Sequence, residues 1–208
     1  MSDLIEIISK GEGEQLEFSS QIDDWYKTAK ILVAFANSDG GKLLIGIKDN
    51  SKIIGVSPGE MIKTINEISN SYCKPPVEFL SKTWKVKHHL VLEINVLKSK
   101  DKHRALDKEK SWKFYIRSGN QIFRGNKILE NVWNLEKFGS KDLELVDDSE
   151  KSILKIIEEG QLVTLSQIYK TSNRMRSEVD KILSLLVFMN QVIMKTTENG
   201  TFYSLSQN

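Results

Sequence analysis

Between Trp25 and Lys48 the chain changes its hydrophobic period, and that change decides which classes of fold are open to it. Trp25, Ala29, Leu32, Val33 and Ala36 recur at helical spacing behind Asp23 or Asp24 as N-cap, and Asn37-Ser38-Asp39-Gly40-Gly41 supplies the stop. The chain then enters Lys42 to Lys48, a continuous apolar strand once its ends are trimmed. A helix that feeds a strand belongs to neither an all-helical nor an all-strand fold, and helices and strands stay mixed through the rest of the chain.

Upstream, the amphipathic start Leu4, Ile5, Ile7, Ile8 is broken by Gly11 and Gly13, and Gln15 to Ser19 alternates as a short strand. Downstream, Asp49-Asn50-Ser51-Lys52 turns into a second short strand, Ile53 to Val56. Pro58-Gly59 opens a helix with Met61, Ile62, Ile65 and Ile68 on one face, and Lys74-Pro75-Pro76 forces an extended exit. Val77 to Leu80, Leu90 to Val96 and Trp112 to Ile116 alternate as antiparallel strands with one wet face. Between the last two, Lys98 to Lys110 reads as a polar loop without apolar anchors. A helix from about Asn126 to Phe138 closes a first domain expected over 1–140.

Gly139 to Asp148 has the composition of a linker, and beyond it a second domain is expected over 141–208. Ile153, Leu154, Ile156 and Ile157 mark one helix, Leu165, Ile168 and Tyr169 a second, and Val179, Ile182, Leu183, Leu186 and Val187 a third. Val192 to Lys195 and Thr201 to Tyr203 then make a hairpin around Asn199-Gly200. This is the order of a winged helix-turn-helix.

Composition narrows the function classes. With 39% apolar and 28% charged residues the chain has an ordinary globular balance rather than that of a disordered or fibrous protein. Its apolar runs fall far below the roughly 20 residues that span a bilayer. The N-terminus lacks a basic segment ahead of an apolar one, so a cytoplasmic location without membrane contact is expected. The single cysteine, Cys73, excludes an internal disulfide, and with only three histidines no Cys/His zinc cluster can be assembled from close spacings. A Walker-type nucleotide loop is absent, and His88, His89 and His103 have no nucleophile at triad spacing.

Four local patterns then recur in a fixed order. They are Glu12, four residues and Glu17-Phe18; Ala34-Phe35-Ala36-Asn37 before Gly40-Gly41; a strand ending Gly46-Ile47-Lys48-Asp49; and Tyr115-Ile116-Arg117-Ser118-Gly119. The set resembles the Schlafen-type AlbA-like domain over roughly Gly11 to Phe138. The resemblance implies an α+β fold: an AlbA-like α/β domain with a mixed or antiparallel sheet, here followed by the winged helix-turn-helix. Three carboxylates form the active site in ribonuclease members, and position by position they fall on Glu12, Glu17 and Asp49. Clustered carboxylates can hold Mg²⁺ or Mn²⁺, which neutralises a phosphate and orients the attacking oxygen. An edge-strand Glu17 and a turn Asp49 are equally ordinary surface acids. Glu12 and Glu17 are an odd number apart, so a turn at Gly13 must intervene for them to share a side. Ser19 stands where the family usually has a lysine.

The net charge of +2 hides an uneven distribution. Between Lys82 and Arg117, eleven Lys and Arg stand against four acids, whereas Val146 to Asn208 carries seven bases and eight acids. Lys98, Lys100, Lys102, His103, Arg104, Lys108, Lys110 and Arg117 are therefore the expected phosphate contacts. Trp112 and Tyr115 are expected in the core by alternation. A recognition helix beginning near Thr171-Ser172-Asn173 would present Asn173, Arg174, Arg176 and Lys181 to a groove, with Lys195 on the wing. Glu178 and Asp180 share that helix, and a winged helix can also bind protein. The leading expectation is a homodimeric bacterial DNA-binding transcriptional regulator; the alternative is a metal-dependent endoribonuclease acting on RNA.

Overall fold

Asp24 starts helix α2 (Trp25–Asn37) by accepting the Lys27 amide at 2.9 Å, and Ser38 ends it. Ile31 to Ala36 are buried without a break, so this helix must be covered on every side. A computed structural model, which describes residues 2–139 and 147–206, shows how. Among these residues the chain divides between Arg124 and Gly125 into two units.

In the first unit, α2 packs against α3 (Pro58–Tyr72) and against two sheets. The first sheet has the order β1 (Leu16–Ser19), β2 (Gly41–Ile45), β5 (His89–Val96) and β4 (Leu80–Val86). Strands β1 and β2 run parallel and the other pairs antiparallel. Leu43, Ile45, Leu92 and Ile94 face α2 and α3, whereas Phe18, Leu44 and Val91 face Leu4 and Ile8 of α1 (Ser2–Ser9). Both faces are dry, which is why β2 is apolar throughout instead of alternating. The glycine pair before it has a steric cause. Gly40 has φ +76° and a Cβ there would lie 2.7 Å from the Val96 carbonyl oxygen, while one on Gly41 would lie 2.2 Å from the Phe35 ring.

The second sheet, β3 (Cys73–Lys74), β6 (Arg104–Leu106), β7 (Trp112–Ser118) and β8 (Gln121–Arg124), is antiparallel. Cys73, Ala105, Tyr115 and Ile122 point from it into the α2 core. Thus Lys98 to Lys110 is not the unanchored loop expected, since it contains β6 and the buried residues His103 and Ala105. The anchor is polar and remote in sequence. Asn37 donates to the His103 and Tyr115 carbonyls at 2.8 and 2.9 Å and accepts the His103 amide at 2.8 Å. The strand expected at Val77 begins only at Leu80, because the Ser69 hydroxyl takes both the amide and the carbonyl of Val77. The segment Ile53 to Val56 forms a single bridge, Ile47 to Ile53, rather than a strand.

The second unit contains α4 (Lys127–Phe138), α5 (Asp147–Gly160), β9 (Val163–Thr164), α6 (Leu165–Thr171), α7 (Arg176–Phe188), β10 (Val192–Thr197) and β11 (Gly200–Leu205). Its antiparallel sheet has the order β10-β11-β9. Ile128 and Val132 of α4 share a core with Ile153, Ile157, Ile168, Val179, Leu183, Leu186 and Tyr203. The helix assigned to the first domain therefore belongs by packing to the second, and the division falls at Gly125 rather than after residue 140. Amphipathicity says that α4 buries one face but not against what. Most of the expected linker, residues 140–146, lies outside the described residues. The hairpin pairs Thr197 with Gly200, so its two-residue turn is Glu198-Asn199 and Gly200 closes it at φ +124°. No helix among the described residues is long and apolar enough to cross a membrane.

Candidate nucleic-acid interface

The N-terminal carboxylates are organised by an arginine from the far end of the unit. Arg117 lies on β7 with its side chain wholly buried. Its Nε and Nη2 donate to the Gly13 carbonyl at 2.9 and 2.7 Å, and Nη2 also donates to the Leu16 carbonyl at 3.2 Å and to Glu17 Oε2 at 2.7 Å. Its guanidinium sits 4.9 Å from the Phe35 ring, and its own amide donates to the Ser38 hydroxyl. Arg117 therefore pins the 13–17 turn onto α2 and is not a phosphate contact as expected; a cation with no exposed surface cannot reach a ligand.

The required turn at Gly13 is present as a bridge from Gly13 to Leu16. Glu12 accepts the Phe18 amide at 2.9 Å. Burial pushes the Glu17 carboxyl above its ordinary range, Arg117 opposes the rise, and the charge of Glu12 adds to it. Glu12 and Glu17 thus feel each other, while Asp49 stands exposed in the turn beyond β2. Among the described residues no group of three or more His, Cys, Asp or Glu side chains is placed to hold a metal ion. Glu12 is engaged by a backbone amide and Glu17 by Arg117, so the carboxylates as arranged do not fit the Mg²⁺ or Mn²⁺ set that the resemblance implied. Ser19 turns its hydroxyl to the Gln21 carbonyl.

The basic stretch divides by exposure. His103 is buried, with Nδ1 2.8 Å from the Pro75 carbonyl oxygen, and is withdrawn from the surface on which it was expected. Lys98, Lys100, Arg104, Lys108 and Lys110 are exposed, and Lys102 is half-buried. Lys98 pairs with Asp39 at 2.9 Å and Lys108 with Asp24 at 2.8 Å. Lys110 donates to the Tyr26 hydroxyl at 2.6 Å. The hydrogen bond from Lys108 holds the Asp24 carboxyl below its ordinary range. Exposed pairs of this kind contribute at most about 1 kcal/mol, so these ammonium groups can exchange a carboxylate for a phosphate at little cost. Tyr115 is core, as expected, but Trp112 is 37% exposed. The two are an odd number apart on one strand and so face opposite sides, a parity legible in the sequence.

A family model described as Schlafen, AlbA_2 matches residues 12–125. The chain belongs to this family. In the AlbA_2 domain the residues that carry the match, Glu17, Asn37 and Arg117, are cross-links between β1, α2 and the second sheet. Among solved structures, the N-terminal domain of a RecG-related protein from Nitrosomonas europaea matches 46% of this chain over 71% of its own, at 19% identity and a TM-score of 0.36. The DIP2311 protein from Corynebacterium diphtheriae matches 99% of this chain at 15% identity and a TM-score of 0.44, and the chain covers 38% of that protein's length. No curated protein matches the chain.

Beyond the AlbA_2 domain, Thr164 and Gln167 form a capping box that starts α6. Asn173, at φ +50°, reverses the chain, so α7 begins at Arg176 and both Asn173 and Arg174 lie in the turn rather than on the expected helix. Arg174 pairs with Glu178, Tyr169 donates to Asp180, and Arg176 lies 5.4 Å from the Tyr169 ring. Arg174 and Arg176 line one small cleft with Ser166, Tyr169 and Lys170. Lys181 lies on a different cleft, beside Asn131 and Phe138 of α4, and Lys195 is exposed on β10. The structure thus brings two of the expected reader residues together and leaves Lys181 apart from them.

Proposed function

We propose that the protein binds nucleic acid as a DNA-binding regulator, with the AlbA_2 domain holding the phosphate backbone and the second unit, read as a winged helix-turn-helix, adding sequence preference. The observation that carries this reading is the excess of seven positive charges between Lys82 and Arg117. Burial removes Arg117 from the surface but also Glu93, whose carboxylate is held by Lys42 and Trp84, so the exposed excess is undiminished. Lys100, Lys108 and Lys110 supply point charges suited to a backbone, and the cleft with Lys170, Arg174 and Arg176 offers a second basic contact. A homodimer would set two such units on a two-fold site.

Anisotropy of the full chain with a labelled duplex across a salt series tests this. Binding is expected to fall linearly in log–log form, with a slope of about −0.9 for each phosphate neutralised. Reversing Lys100, Lys108 and Lys110 to Glu should weaken binding and flatten the slope; an unchanged slope refutes the assigned contacts. Reversal of Arg174 and Arg176 asks whether the second unit touches DNA at all.

A further inference from the structure

The second sheet has a face that no core uses. Strand register sets Lys74, Arg104 and Phe114 side by side across β3, β6 and β7, Leu106 beside Trp112, and Ile116 beside Phe123. Residues of opposite parity, Cys73, Ala105, Tyr115 and Ile122, build the α2 core. Leu106, Trp112, Phe114, Ile116 and Phe123 belong to none of the three apolar clusters. An antiparallel sheet with one dry face ordinarily turns polar residues outward. Here the outward face is aromatic and aliphatic, and Trp112 is 37% exposed on it.

The charge beside this face narrows its occupant. Arg104 is exposed with its guanidinium 4.3 Å from the Phe114 ring, and the exposed Lys74 flanks it. Trp112 and Phe114, two residues apart on one strand, stand roughly 7 Å from each other, room for one flat ring each. A polyanion whose apolar rings are accessible matches aromatic faces bordered by cations. A duplex keeps those rings inside its stack, whereas an unpaired strand presents them. We propose that this face binds single-stranded nucleic acid, with bases stacked on Trp112 and Phe114 and phosphates held by Arg104 and Lys74. The inference rests on the nucleic-acid reading above and specifies the form of the ligand.

The test compares the full chain with labelled oligo-dT and with a duplex of equal length, using Trp112→Leu, Trp112→Phe and Arg104→Gln variants whose circular dichroism matches the parent. The single strand is expected to bind more tightly than the duplex. Trp112→Leu should weaken the single strand about tenfold or more, Trp112→Phe should retain most of the affinity, and duplex binding should change in neither. Arg104→Gln, at an exposed site, should weaken the single strand and lower its salt slope, which keeps the inference testable if Trp112→Leu fails to fold. Unchanged single-strand affinity in Trp112→Leu, or in Arg104→Gln if only that variant folds, overturns the inference, and salt-dependent duplex binding then leaves the broader function standing. Failure to bind either ligand overturns both. A change in oligomeric state without loss of single-strand affinity makes the face a contact between copies and equally overturns the inference.

Discussion

Replacing Arg117 with methionine would withdraw every donor from the 13–17 turn while keeping a side chain of comparable length. The Gly13 and Leu16 carbonyls and the Glu17 carboxylate would lose their partner where the Arg117 side chain is 0% and the Glu17 side chain 14% exposed. Removing one member of a buried pair costs about 3–5 kcal/mol. The residual exposure of Glu17 argues for the lower end and the two stranded carbonyls for the upper, so a loss of about 4 kcal/mol is expected. A domain holds only about 5–15 kcal/mol in total. In urea the midpoint of the first unit should fall by about 2 M, for a dependence of about 2 kcal/mol per M.

The loss should also depend on pH. Burial already raises the Glu17 carboxyl above 4.5, and without Arg117 it rises further. A carboxyl whose folded pKa is raised contributes stability that is present below its unfolded value and lost as pH climbs through the folded one. The variant's deficit should therefore be smallest near pH 4.5 and grow towards neutrality. A deficit under about 1 kcal/mol at neutral pH would refute the reasoning, given the burial of the pair. So would weakened nucleic-acid binding at unchanged stability, which would place Arg117 at the ligand.

Asn37→Leu, which strands the His103 amide and carbonyl and the Tyr115 carbonyl, should cost about 3 kcal/mol in the same urea assay and leave α2 helical by circular dichroism. Burial pushes the Cys73 thiol up to about 12, so a thiol reagent at mildly alkaline pH should label it only after unfolding; labelling of the native protein would contradict the packing. Tyr169 is raised to about 12, first by burial and then by its bond to Asp180. The second unit should therefore lose stability as pH rises from 10 to 12, and Tyr169→Phe should flatten that decline in alkaline melts.

Where the determinants are local, the sequence was enough. The period of Trp25 to Ala36, the glycine stop and the apolar run after it predict α2 and β2, because helix and strand bury residues at different intervals. The AlbA_2 motifs identified the family for the same reason: they are short, ordered and specific. The same reading placed Arg117 and His103 on a binding surface by counting charge, which carries no information about burial. It placed Trp112 in the core by following alternation without fixing which parity faced inward.

What the sequence by itself determined is the order and kind of most elements and the basic bias of the first unit. Only tertiary structure decided that α4 completes the second core, that Asn37 anchors a strand 66 residues away, that Arg117 is a buried clasp, and that Trp112 looks outward. The physical reason is common to all four. Each depends on contacts between segments far apart in the chain, and local pattern states that a face must be buried or a polar group satisfied but leaves the partner open.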